Sequence, residues 1–265
     1  MKSLLELRRH FYLVQQYLNR QIALRYKSTA LGVAWSLVNP LFMLCVYTII
    51  FGVVMNARFG LSKTESPFDY GLTIFCGLNL FNLCGEMITR SPRLIVTQPN
   101  LVKKVVFPLE VLPVVSMLDA LVHCLIAFVP LFVAIIVIHH QVPWSFIWLP
   151  IYLIPTALLA LGCGLFLSAL GVFVRDVENM VAPVLTVLLL GSAIFYPVST
   201  GQGYLSLWFE LNPITIIIDS ARRSLVWGAT PDFWSLAVVT FAGALFVFFS
   251  GAFFLKAKPA FADVM

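Results

Sequence analysis

Charge is scarce in this chain. Lys, Arg, Asp and Glu together make up 11% of the 265 residues, against 60% hydrophobic residues. A water-soluble domain carries about 25% charged residues. The shortage is also uneven: after Lys27 no charged residue occurs until Arg58. A bilayer core needs roughly 20 mostly apolar residues per helix, and stretches of that kind recur along the chain. The sequence therefore excludes a soluble globular domain and reads as a polytopic membrane protein.

Other absences narrow the chemistry. The dipeptide Gly-Lys never occurs, so there is no G-x-x-x-x-G-K-[ST] phosphate loop and no means of binding ATP by that route. There is no nucleophile elbow, no H-E-x-x-H zinc motif and no pair of carboxylates outside the apolar stretches with an obvious site. Nothing supports an enzyme, a metal site or a cofactor bound by this chain. Cys45, Cys76, Cys84, Cys124 and Cys163 all fall within apolar stretches without C-x-x-C spacing. They read as small apolar packers rather than disulfide or metal ligands. His139 and His140 stand at the end of an apolar stretch, where an interfacial role is expected. The net charge of +5 is explained by topology, with no nucleic acid as partner.

What is present is a series of six apolar segments, at about 30–55, 70–89, 109–138, 147–174, 180–198 and 233–255. If the N-terminus is cytoplasmic, thirteen Lys and Arg fall inside and four outside. Cytoplasmic retention of basic residues then sets both termini inside. The expected fold is an all-α integral membrane protein with an N-terminal interfacial helix in residues 1–29. A six-span permease domain follows in 30–265.

The arm before the first span has capping-box spacing at Ser3 and Glu6. Leu4, Leu7, Phe11, Val14, Leu18 and Ile22 form one helical stripe, with Arg8, Arg9, Arg20 and Arg25 among lipid phosphates. A topogenic anchor is the simpler reading of the same residues. A cleaved signal peptide is not expected, because charges interrupt any apolar h-region. In the 90–108 loop, Pro92, Pro99 and Pro108 leave room only for short helical pieces. Basic residues there alternate with Leu94, Ile95, Leu101 and Val102, which suits a docking surface for a soluble partner or a loop lying on the membrane.

Residues 199–232 are apolar but broken by Glu210, Asp219, Arg222 and Arg223. Asn212-Pro213 is a helix start and Gly228 a stop. Ile214, Ile217, Ile218, Ala221 and Leu225 share one face of a helix too short to cross a bilayer. With "YLSLWF" before it, this reads as a re-entrant or interfacial pair at a gate or vestibule, or as an external loop with one amphipathic helix. Ala160, Gly164 and Ser168, four apart, form a small-residue packing face within or between chains. Pro113, Pro130, Pro155 and Pro183 are candidate kinks. Asp119 and His123, one turn apart deep in the third segment, suit either a proton relay or a structural pair.

With these residues in view, "LNRQIALRYKSTALGVAWSLVNPLFMLCVYTIIFGVV" resembles the opening of polysaccharide-export ABC-transporter permeases. "NLVKKVVFPLEVLP", "RDVENMVAPVL" and "NPITIIIDSARRSLVWG" resemble later segments of that family in the same order. The similarity is nearest to the O-antigen (lipopolysaccharide) exporters; capsule and teichoic-acid permeases share most of the pattern. It implies a homodimer in the bacterial inner membrane with two copies of a separate ATPase that binds ATP and Mg. The cargo would be a polysaccharide on an undecaprenyl diphosphate carrier, moved from cytoplasm to periplasm. On this resemblance Arg20, Arg25 and Lys27 attract the lipid diphosphate, since phosphate takes fixed cationic donors. Arg93, Asn100, Lys103 and Lys104 meet the ATPase. Trp35, Phe42, Tyr47, Phe195 and Tyr196 are candidate pore aromatics, though membrane belts use the same residues. Asn212, Pro213, Ile217 and Arg222 belong to the periplasmic gate, residues 199–232. Two alternatives remain: a proton-coupled carrier using Asp119 and His123, and a membrane enzyme acting on the carrier lipid.

Overall fold

Helix follows helix through the described residues, with no strand among them. The computed structural model describes residues 2–26, 32–55, 58–59, 66–103, 107–198 and 203–264, and their side chains except those of 2–11, 24, 26, 33, 205 and 206. In chain order the helices are α1 (Lys2–Tyr26), α2 (Trp35–Tyr47, continued by a π-helical Thr48–Val54), α3 (Pro67–Leu94) and α4 (Pro99–Lys103). Then come α5 (Val111–His139), α6 (Leu149–Phe173, led by a 3-10 turn at Trp144–Trp148), α7 (Val177–Gly191), α8 (Tyr204–Leu211), α9 (Pro213–Leu225), α10 (Phe233–Ala257) and α11 (Phe261–Val264). Five stretches are long and apolar enough to cross a membrane: Trp35–Val54, Pro67–Leu94, Val111–His139, Trp144–Phe173 and Phe233–Val264. The expected fifth segment is the shorter α7, 15 residues or about 22 Å at 1.5 Å per residue.

Local chemistry accounts for the ends. Ser66 and Asp69 form a capping box at the start of α3, with Pro67 in its first turn, where a missing N–H costs nothing. Asn212 Oδ1 accepts the Ile214 N–H at 3.0 Å, Pro213 opens α9, and Gly228 turns away with φ +71. The 212–228 helix and its preceding partner are thus present as α9 and α8. At the N-terminus α1 already begins at Lys2, one residue before the expected capping serine; the side chains of Ser3 and Glu6 lie outside the description.

One expectation is corrected. Pro92 does not end the second apolar helix: α3 runs through it to Leu94. The peptide following Pro92 is packed against α6 at Gly171, where an added Cβ would stand 2.2 Å from the Pro92 carbonyl oxygen. A neighbouring helix pressed this close holds the chain helical despite the missing N–H, as in other membrane helices. Among the described residues of this loop, α4, with Pro99 in its first turn, is the short piece expected.

The axis of the molecule is α3, 89% of whose apolar window is buried, against 11–50% for the other four stretches. It packs on α5, α6, α7 and α9, and α10 lies along the far side of α6. Ala160, Gly164 and Ser168 are all buried, and a Cβ on Gly164 would sit 2.3 Å from the Met87 methyl of α3. The small-residue face therefore serves packing within the chain. Pro113 falls in the first turn of α5, where it is tolerated, while Pro130, Pro155 and Pro183 lie inside helices. Outward faces carry exposed apolar side chains such as Phe42, Val187, Phe241 and Phe248.

Candidate functional site

Polar groups collect at the two ends of the helical bundle. At the first end, α1 lies against α5, with Tyr17 and Phe107 ring centroids 5.2 Å apart. This brings Arg25 to the last turns of α3 and the early turns of α5. Arg25 Nη1 is 2.8 Å from Glu86 Oε1 and donates to Asp119 Oδ2 at 3.0 Å. Arg90 Nη2 is 2.5 Å from Glu86 Oε1, and its Nη1 donates to the same Asp119 oxygen at 2.7 Å. Asp119 is wholly buried, and its other oxygen, Oδ1, has no hydrogen bond. Two cations and two anions thus close a neutral quartet, which is how charges survive at membrane depth.

The same end carries two further ion pairs. Arg93 pairs with Glu178 at the start of α7, and Lys258 Nζ donates to Glu110 Oε2 at 2.8 Å. A cavity of about 660 Å³ opens beside the quartet, with Arg25, Trp35, Asn39, Asn82, Glu86 and His123 among its lining.

The opposite end is built around Arg222 of α9, only 1% exposed. Its Nε donates to Asp219 Oδ1 at 3.0 Å and its Nη1 to the Ala193 carbonyl at 3.1 Å. Its Cζ stands 4.6 Å from the centre of the Phe59 ring, a cation–π contact. Asn212 donates to the Gly191 carbonyl at 3.1 Å, and Trp208 Nε1 donates to the same oxygen at 2.8 Å. Tyr70 OH donates to the Phe195 carbonyl at 2.6 Å, and Phe51 stacks on Phe195 with centroids 5.5 Å apart. These bonds tie α8, α9 and the turn after α7 to the top of α3. Below them Asp69 Oδ1 lies 3.1 Å from His139 Nε2, so His139 does have an acidic neighbour at its helix end. Among the described residues no group of three or more His, Cys, Asp and Glu could hold a metal ion.

The sequence-derived candidates divide accordingly. Arg20 is exposed on α1, Arg25 is held by two carboxylates, and Lys27 lies outside the described residues. Arg93 (ion-paired), Asn100 and Lys103 sit at the α3–α4 end; Lys104 is outside the description. Trp35 borders the cavity, and Phe42 is 62% exposed on the outer face of α2. Tyr47 and Phe195 both flank Phe51, and Tyr196 donates to the Leu190 carbonyl. Asn212, Pro213, Ile217 and Arg222 share the second polar centre. Asp119 and His123 are not an isolated pair: Asp119 bonds to two arginines.

Sequence reasoning missed Arg90, Phe51, Phe59 and Tyr70. An apolar segment that ends at 89 leaves Arg90 in the following loop. Read one turn further, Glu86 and Arg90 are four apart on one helix, a spacing that pairs opposite charges.

The five long apolar helices and the two polar ends define an all-α integral membrane protein. Residues 12–226, from α1 to the end of α9, match the ABC-2 type transporter family. The chain belongs to that family. It is 26% identical to the O-antigen export system permease protein RfbA of Klebsiella pneumoniae over 249 residues, 93% of this chain and 92% of the relative. It is 24% identical to the RfbA permease of Myxococcus xanthus over 261 residues, 97% of each chain.

Proposed function

We propose that this chain is the membrane-spanning subunit of an ABC exporter carrying an O-antigen-like polysaccharide on an undecaprenyl diphosphate carrier from cytoplasm to periplasm. In this reading two copies form the path in the bacterial inner membrane. Two copies of a separate ATPase bind ATP and Mg and drive it. The observation that carries the reading is the end-to-end similarity to O-antigen export permeases, over 93% and 97% of this chain.

The geometry supports it in three ways. The α1 end gathers most of the basic residues, which favours its lying in the cytoplasm. From that end α7 starts beside Arg93, and it finishes beside Arg222 at the opposite end, so a sixth crossing by this short helix is consistent with the ends it joins. A carrier driven by titration of Asp119 and His123 is less well supported, because Asp119 is already charge-compensated.

Within this scheme Arg20, Arg25 and Lys27 attract the diphosphate headgroup. Arg93, Asn100, Lys103 and Lys104 transmit motion from the ATPase. Trp35, Phe42, Tyr47, Phe195 and Tyr196 offer aromatic faces to passing sugars, and Asn212, Pro213, Ile217 and Arg222 form the outer gate. The test is co-reconstitution of the chain and its ATPase in liposomes with a lipid-linked polysaccharide. Delivery of the glycan across the bilayer should need both proteins and ATP. Delivery by this chain alone, or at equal rate without ATP, would overturn the reading.

A further inference from the structure

At the end of the bundle away from α1, a pocket of about 720 Å³ lies between the α5–α6 connection and the α9–α10 connection. Ser145 joins the two by donating to the Leu225 carbonyl at 3.3 Å. Trp144, Trp148 and Trp227 stand in the pocket wall with Asp69, His139 and Gln141. No Lys or Arg is among the described residues lining it, so its fixed charge is the Asp69 carboxylate. Asp69 is 4% exposed. Its Oδ2 accepts the Ser66 N–H at 2.8 Å and the Ser66 hydroxyl at 2.9 Å, but its Oδ1 has no hydrogen bond. His139 Nε2, 3.1 Å from Oδ1, has none either. Buried polar atoms are costly to leave so. A primary ammonium carries three N–H donors, enough for a carboxylate oxygen and a neutral imidazole nitrogen together. Tryptophan faces attract the same ion. The His139 side chain, 34% exposed at the rim, is the way in.

An apolar groove of about 510 Å³ begins where the pocket ends. Trp148 of the pocket meets Phe233 of the groove edge to face, with centroids 5.6 Å apart. From Phe233 the groove follows α10 past Ala237 and Phe241 to Ala244, with Ile151 of α6 as its opposite wall. That run is roughly 16 Å at 1.5 Å per residue, about half of a bilayer core of roughly 30 Å. We propose that pocket and groove together bind one phospholipid with a primary-ammonium headgroup, of the phosphatidylethanolamine class. Its ammonium sits at Asp69 and His139 among the tryptophans, and an acyl chain lies along α10. A sugar would use the tryptophans and the carboxylate but leave the groove empty. A lipid of the general annulus would use the groove but need no buried carboxylate. The bound lipid splints the connections that lead into α6 and α10. The inference does not rest on the export reading; it needs only that these helices cross a bilayer.

The full chain, purified in detergent, is titrated with dioleoyl phosphatidylethanolamine and with phosphatidylcholine and phosphatidylglycerol of the same acyl chains. A parallel titration uses the water-soluble oligosaccharide maltoheptaose, and native mass spectrometry reads the bound species. Phosphatidylethanolamine should bind about tenfold more tightly than the other two lipids, since its N–H groups make charged hydrogen bonds that they cannot. Asp69→Asn should abolish the preference, and Trp144→Ala should narrow it. Ala237→Trp, which fills the groove from an exposed position, should weaken phosphatidylethanolamine binding by about tenfold. Thermal melting checks that each variant is folded. Because Asp69 also caps α3, Trp144→Ala and Ala237→Trp are the variants to read if Asp69→Asn does not fold. Equal affinity of the folded parent for all three lipids, or for phosphatidylcholine and phosphatidylethanolamine, overturns the proposal. So does a preference that survives both Trp144→Ala and Ala237→Trp. Maltoheptaose binding that Trp144→Ala removes, without any lipid preference in the parent, makes the pocket a saccharide site and overturns it as well.

Discussion

Gly171 of α6 lies directly against the backbone of Pro92 in α3: a Cβ at Gly171 would stand 2.2 Å from the Pro92 carbonyl oxygen. Backbone cannot yield as a flexible side chain can. Gly171→Ala should therefore lower the melting temperature of the purified protein, although alanine favours a helix by about 1 kcal/mol over glycine. Gly171→Leu should prevent accumulation of folded protein. An alanine variant that melts higher than the parent would show that the two helices can separate at little cost.

Arg222 is the largest fully buried side chain with a charge. Replacing it with Met leaves Asp219, among the described residues, with the exposed Arg223 as its remaining ion-pair partner and takes the Arg222 donor from the Ala193 carbonyl. Loss of one partner from a buried pair costs about 3–5 kcal/mol; the partial exposure of Asp219, 20%, reduces this, and about 2 kcal/mol is expected. Adding Asp219→Asn should recover part of the loss. Denaturant melts of the single and double variants measure the coupling.

The pair Arg93–Glu178 links the end of α3 to the start of α7 at an exposed position, so its stability effect should be negligible. Its expected effect is on transmission. Arg93→Glu should leave the melting temperature unchanged while lowering glycan exported per ATP hydrolysed, and adding Glu178→Arg should restore the ratio. Lys103→Glu with Lys104→Glu should also uncouple the two, without loss of membrane insertion.

Ile217 faces the buried side of α9 at 2% exposure, whereas Leu211 in the same region is 79% exposed. If α8 and α9 gate an opening, Ile217→Cys should react with a polar thiol reagent only during turnover. Leu211→Cys should react at all times. Identical labelling of Ile217→Cys at rest and during turnover would count against a gate.

Asp232 caps α10 from outside the membrane-spanning segment. The Ser235 hydroxyl donates to it at 2.6 Å and the Ser235 N–H at 3.3 Å. These bonds hold its carboxyl below the usual value of 3.8. A depressed carboxyl stabilises the fold fully above its unfolded pKa and loses that contribution as pH falls through the lower folded value. Hydrogen exchange in the first turn of α10 should therefore rise only in strong acid. Asp232→Ala should show the faster exchange at neutral pH as well.

The apolar segments, the short pair before the last one and the start of α9 at Asn212-Pro213 were legible because each depends on neighbours in sequence. Hydropathy over a window, a capping residue and a proline are local signals. The end of α3 was not legible, because Pro92 reads as a break until the backbone of α6 is placed against it. Arg90 went with it, one of the four members of the quartet.

Lipid solvation and backbone capping operate over a few residues, and through them the sequence alone dictates an all-helical chain for a membrane with most of its basic side chains at one end. Which charges meet was decided only by the tertiary structure. Arg25 and Asp119 are 94 positions apart, and Arg222 reaches the carbonyl of Ala193 across 29. A charge in a low-dielectric interior must find its counterion or its acceptor wherever packing puts it, and packing is a property of whole helices rather than of neighbouring residues.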